Sequence, residues 1–80
     1  MTAKEREDKL FKLNGKFDEF NKGFSKRSVK SRHIRDIAYS VFMNTTQIDR
    51  NCDFFGTEDL FIEFINLTEK LINEALEITR

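Results

Sequence analysis

An 80-residue chain with 14 Lys/Arg, 14 Asp/Glu and zero net charge has room for one domain, residues 1–80, burying roughly 60–65% of its unfolded surface. One cysteine, Cys52, and one histidine, His33, supply neither an intrachain disulfide nor a metal cluster. The charged start, Met1 to Lys9, is unlike a signal peptide, and no run nears the roughly 20 apolar residues of a membrane span. A cytoplasmic protein with no cofactor, no metal and no membrane association is expected, so the N-x-Thr matches at Asn44 and Asn66 carry no meaning.

With no proline, three glycines and 35% charged residues, the composition favours helix throughout. The first element is predicted over residues 3–24. Leu10, Leu13, Phe17, Phe20 and Phe24 recur there at steps of three and four, a narrow apolar seam on a charged helix. Asn14-Gly15 is also a hairpin signal. A two-residue turn would set Leu13 against Lys16, Lys12 against Phe17 and Phe11 against Asp18, so each apolar residue would face a charge. The helical register keeps the seam intact at a cost of about 1 kcal/mol for Gly15.

A second helix is predicted over residues 31–47, capped by Ser28 or Ser31, with a core stripe of Ile34, Ile37, Ala38, Val41 and Ile48. Residues 51–56 read as a loop, with Cys52 a small buried residue and Phe54-Phe55 a lid over the end of the bundle. Thr57 is the expected cap of a third helix, residues 58–79, with Glu58 and Asp59 complementing its dipole. The expected fold is all-α, a three-helix bundle.

The third helix carries the widest apolar sector, roughly 220° of its circumference against the roughly 100° of an ordinary surface helix. It divides into two seams. Phe61, Ile65, Ile72 and Leu76 form one; Leu60, Phe64, Leu67, Leu71, Ala75 and Ile78 form the other. The first two helices offer too little apolar surface to cover both. The second seam is therefore read as an oligomer interface, with a homodimer expected.

The zero net charge hides an asymmetry. Residues 26–36 hold five Lys/Arg against one Asp, whereas residues 49–80 hold eight Asp/Glu against three Lys/Arg. Cations are unfavourable at a helix N-terminus, so Lys26, Arg27, Lys30, Arg32 and Arg35 do not serve the stability of the second helix. With Tyr39, Met43 and Phe42 at its edge, this segment is the candidate contact face for an acidic protein or for nucleic acid. Neutrality of the whole domain weighs against nucleic acid, which calls for a net basic footprint.

Nothing in the sequence supports catalysis. His33 has no nucleophile placed to pair with it, and Glu58-Asp59 and Glu74/Glu77 lie on polar helix faces and not in a cleft that raises a pKa. The expected function is therefore non-enzymatic: a small regulatory or inhibitory protein acting by protein–protein binding, of the kind common among accessory proteins of bacteria, phages and mobile elements. A nucleic-acid-binding regulator using residues 26–43 is the alternative.

Overall fold

Thr2-Ala3-Lys4-Glu5 forms a capping box. The Thr2 hydroxyl accepts from the Glu5 backbone N–H at 3.1 Å, and the Glu5 carboxylate accepts from the Thr2 backbone N–H at 3.2 Å. These hydrogen bonds hold the Glu5 carboxyl below the ordinary carboxylate range. The computed structural model describes residues 1–78, with the side chains of residues 53–55 left aside. In it the box opens α1, Ala3–Lys22. Gly15 lies inside this continuous helix and not in a hairpin. The helix stops at Gly23, earlier than expected, and Phe24–Lys26 form a single 3₁₀ turn, so Phe24 leaves the seam and is 41% exposed.

Ser28 caps α2, Val29–Phe55, accepting from the Ser31 backbone N–H at 3.1 Å. This helix runs well past the expected end at residue 47. No proline or glycine interrupts it before Gly56, whose left-handed backbone (φ 63°) ends it and whose N–H returns to the Cys52 carbonyl at 3.1 Å. The expected 51–56 loop is thus helical up to Phe55, and Cys52 is buried. The lid assigned to Phe54 and Phe55 concerns side chains outside the described residues. α3 spans Glu58–Glu77. Thr57 stands at its N-cap position, but its hydroxyl makes no capping hydrogen bond. Residue 79, the expected end of this helix, lies outside the described residues.

Among the described residues the three α-helices form an all-α, up-down-up bundle of 42 × 17 × 15 Å. The closest packing is between α2 and α3, an antiparallel hairpin against which α1 lies more loosely. Small residues at seven-residue spacing explain that closeness. Ser31, Ala38 and Thr45 are all 0% exposed, and Cys52 continues the row at 5%. Against them lie Phe61, Thr68 and Ala75, also 0% exposed and also seven residues apart.

The register of the hairpin is fixed at one end. Ser31 Oγ donates to the Ala75 carbonyl at 2.7 Å in a buried hydrogen bond. Antiparallel steps of seven then bring Ala38 level with Thr68 and Thr45 level with Phe61. The buried threonines satisfy their hydroxyls locally, Thr45 with the Val41 carbonyl and Thr68 with the Phe64 carbonyl, both at 2.8 Å. Their polar groups therefore cost little inside the hairpin.

α1 closes one face of this hairpin with Leu13, Phe17 and Phe20, each no more than 2% exposed. The Phe17 ring packs 5.2 Å from Phe42 and edge-on to Tyr39 at 5.5 Å. Burying each such ring stabilises the fold by about 2–3 kcal/mol. Polar ties set the level of α1. Arg6 Nε donates to Asp49 Oδ1 at 2.8 Å, and Lys16 Nζ donates to Asn73 Oδ1 at 2.6 Å. The Met1 amine pairs with Glu58. No helix among the described residues is long and apolar enough to cross a membrane.

Candidate functional site

The basic segment does two separate things. At its start, Arg27 NH1 donates to the Leu76 carbonyl at 3.3 Å while its guanidinium lies 4.6 Å from the centre of the Phe20 ring. Leu76 and Ala75 belong to the last turn of α3, whose carbonyls have no partner within the helix. Arg27 and Ser31 together satisfy two of them, and the positive charge meets the negative end of the α3 dipole. Arg27, a cation unfavourable to the start of α2, thus stabilises the end of α3, because the hairpin places the two side by side.

One and two turns further on, Arg32 and Arg35 lie half-buried over rings, Arg35 with 19% of its side chain exposed. The Arg32 guanidinium lies 5.5 Å from the Phe24 ring centre. Arg35 lies 4.8 Å from the Tyr39 ring and 5.7 Å from Phe17, and its NH1 donates to Asp36 Oδ1 at 3.2 Å. Its buried Nε has no hydrogen-bond partner. Beside them Tyr39 and Met43 are 39% and 45% exposed. At 100° per residue these four side chains share one flank of α2, the flank that meets α1.

Three of the expected contact residues are placed otherwise. Phe42 is 7% exposed and packs on Phe17, so it is core and not contact surface. The core axis of α2 is turned toward α1, which draws Phe42 in and leaves Ile37, expected in the core stripe, 45% exposed. Lys30 is exposed but lies about 200° around the helix from Arg32, on the opposite flank. Arg27 is half-buried by its capping role. Lys26 is exposed on the 3₁₀ turn.

A second surface lies on the face of the hairpin away from α1. α1 meets α2 at Arg35, Tyr39, Phe42 and Asp49 and meets α3 on the side of Asn73, Ile65 and Glu69. The reverse flanks carry Ile34, Ile37, Val41 and Ile48 on α2, and Leu60, Phe64, Leu67 and Leu71 on α3, with Ile78 just past its end. Leu60 and Leu67 are 41% and 42% exposed, and Phe64, Leu71 and Ile78 are half-buried. Five of the six residues expected at an oligomer interface therefore share this open face. The sixth, Ala75, is 0% exposed beneath α2 and is excluded from any such contact.

Two lesser features complete the surface. A groove of about 190 Å³ between α1 and α3 is lined chiefly by polar groups, including Lys9, Lys12 and Glu69. Phe11, 78% exposed, stands alone on the charged outer side of α1. Among the described residues no three His, Cys, Asp or Glu side chains come together as metal ligands would. No protein-family model, curated protein or solved structure matches this chain.

Proposed function

We propose that this protein acts by docking onto an acidic segment of another protein through Arg32, Arg35, Tyr39 and Met43, as a small non-enzymatic regulator or inhibitor. The observation that carries the reading is the seating of the two guanidiniums. Arg32 and Arg35 are held over aromatic rings at 5.5 and 4.8 Å, next to an exposed tyrosine and methionine. Arginine restrained on a ring loses less freedom when it binds a carboxylate, and Arg and Tyr are the residues most often dominant in protein interfaces.

The nucleic-acid alternative draws on the same cations, but two observations favour the protein partner. Lys30 lies on the other flank of α2, and Arg27 is engaged with the end of α3. What remains is a compact patch suited to a few carboxylates and one apolar group, not a track along a phosphate backbone.

Fluorescence anisotropy with Asp/Glu-rich peptides bearing one aromatic residue, beside duplex DNA and single-stranded RNA at two salt concentrations, separates the readings. The proposal predicts peptide binding that Arg32→Ala with Arg35→Ala weakens by about tenfold or more. Tighter binding to DNA or RNA, falling steeply with salt, would establish the alternative instead.

A further inference from the structure

The open face of the α2–α3 hairpin is an apolar surface whose two margins carry opposite charge. On the α2 margin stands Lys30, one residue before Ser31; on the α3 margin stands Glu74, one residue before Ala75. Ser31 and Ala75 are joined by their buried hydrogen bond, so Lys30 and Glu74 lie at the same level of the hairpin, each turned about 100° from that contact toward the open side. Both are exposed, and neither has an ion-pair partner among the described residues.

We infer that this face is occupied by a second copy of the chain, related by a two-fold axis parallel to the helices. Such an axis keeps the direction of every helix, so α2 of one copy lies antiparallel to α3 of the other. The arrangement repeats across the interface the pairing already made within each hairpin. It sets Ile37 and Leu67 of one copy over the apolar centre of the other. It also brings each Lys30 to the margin occupied by the other copy's Glu74, forming two symmetric ion pairs. An axis perpendicular to the helices reverses their direction and separates these charges by nearly the length of the hairpin.

The area suits such a pair. Residues 60 to 77 of α3 span about 26 Å, and two adjacent helices are about 18 Å across. That is roughly 500 Å² per copy and about 1,000 Å² in all, the lower bound for a specific interface. An interface of this size fits a weak, reversible dimer.

Sedimentation equilibrium over roughly 1–200 μM tests this directly. The wild-type chain should move from monomer to dimer across that range. Leu67→Glu changes a residue already 42% exposed, so its helical circular dichroism should be unaltered. Its dimer should weaken by about 100-fold, because symmetry buries the carboxylate twice. Lys30→Glu and Glu74→Lys should each weaken the dimer by about tenfold, and the double variant should restore it to within about threefold of wild type. A folded chain monomeric at the top of the range, a dimer indifferent to Leu67→Glu, or a charge swap without restoration would each overturn the inference. None of these variants touches Arg32, Arg35, Tyr39 or Met43, so failure here leaves the acidic-partner reading standing.

Discussion

Arg6, 4% exposed, donates its Nε hydrogen to Asp49 Oδ1 at 2.8 Å across 43 residues of sequence, and also donates NH1 to the Met1 carbonyl at 3.3 Å. The pair locks the beginning of α1 to the last third of α2. Asp49→Ala removes this charge-assisted hydrogen bond and should cost about 1.5–3 kcal/mol in urea unfolding. Arg6→Met combined with Asp49→Leu replaces the pair with apolar groups and should lie within about 1 kcal/mol of the native chain. Equal losses in the single and double variants would show that the pair is not the tie described.

Ser31 fixes the register of the hairpin and satisfies an orphan carbonyl at the end of α3. Ser31→Ala, which keeps the close approach but loses the hydrogen bond, should cost about 1 kcal/mol. Ser31→Leu forces the helices apart at a 0% exposed position and should cost about 3 kcal/mol or more. Thermal unfolding of the two variants gives the order. Similar losses would mean that helix proximity is not what Ser31 provides.

The helical part of this architecture was largely legible from residue spacing, because an absence of proline and a three-four rhythm leave few competing structures. The extent of α2 was not. Asn44, Thr45 and Thr46 are weak helix formers, and they weighed more in that expectation than the lack of any glycine between Gly23 and Gly56. Packing against α3 outweighs those small propensities.

The core row of α2 was missed for a related reason. Ser31 and Thr45 count as polar in an apolar periodicity, yet their hydroxyls find carbonyls and they bury completely. Had the seven-residue repeat Ser31-Ala38-Thr45-Cys52 been read as a small-residue row, the true axis of the helix would have followed, and Phe42 with it. The Arg6–Asp49 tie gave no local signal, since the two residues are 43 apart in sequence. The open face of α3 was visible from the excess width of its apolar sector, although Ala75 was assigned to the wrong side.

Two glycines give opposite predictions. Gly15 lies within α1, and a Cβ there would meet nothing within 4 Å. Gly15→Ala should therefore stabilise the fold by about 0.5–1 kcal/mol. Gly56 has equal space but a φ of 63°, so Gly56→Ala should destabilise it by about 1 kcal/mol. Paired thermal melts test both signs at once.

The capping box gives α1 an acid-sensitive end. The Glu5 carboxyl is held below its ordinary value by hydrogen bonds from Thr2, so its contribution is present above the unfolded carboxylate pKa and is lost as pH falls through the folded value. Amide exchange at residues 3–6 should accelerate, relative to intrinsic rates, as acid is added. Glu5→Gln should remove most of that pH dependence while keeping the Thr2 half of the box. An unchanged profile in this variant would mean another group governs the fraying.

The claim that function resides on the Arg32–Met43 flank is tested most directly by titrating the ¹⁵N-labelled chain with the acidic, aromatic-bearing peptide that binds it best and mapping the amide shifts. The account predicts shifts concentrated around Arg32, Arg35, Tyr39, Met43 and the neighbouring Phe24, with the Leu60–Leu71 face unmoved. Shifts confined to that apolar face or to the outer side of α1 would contradict it.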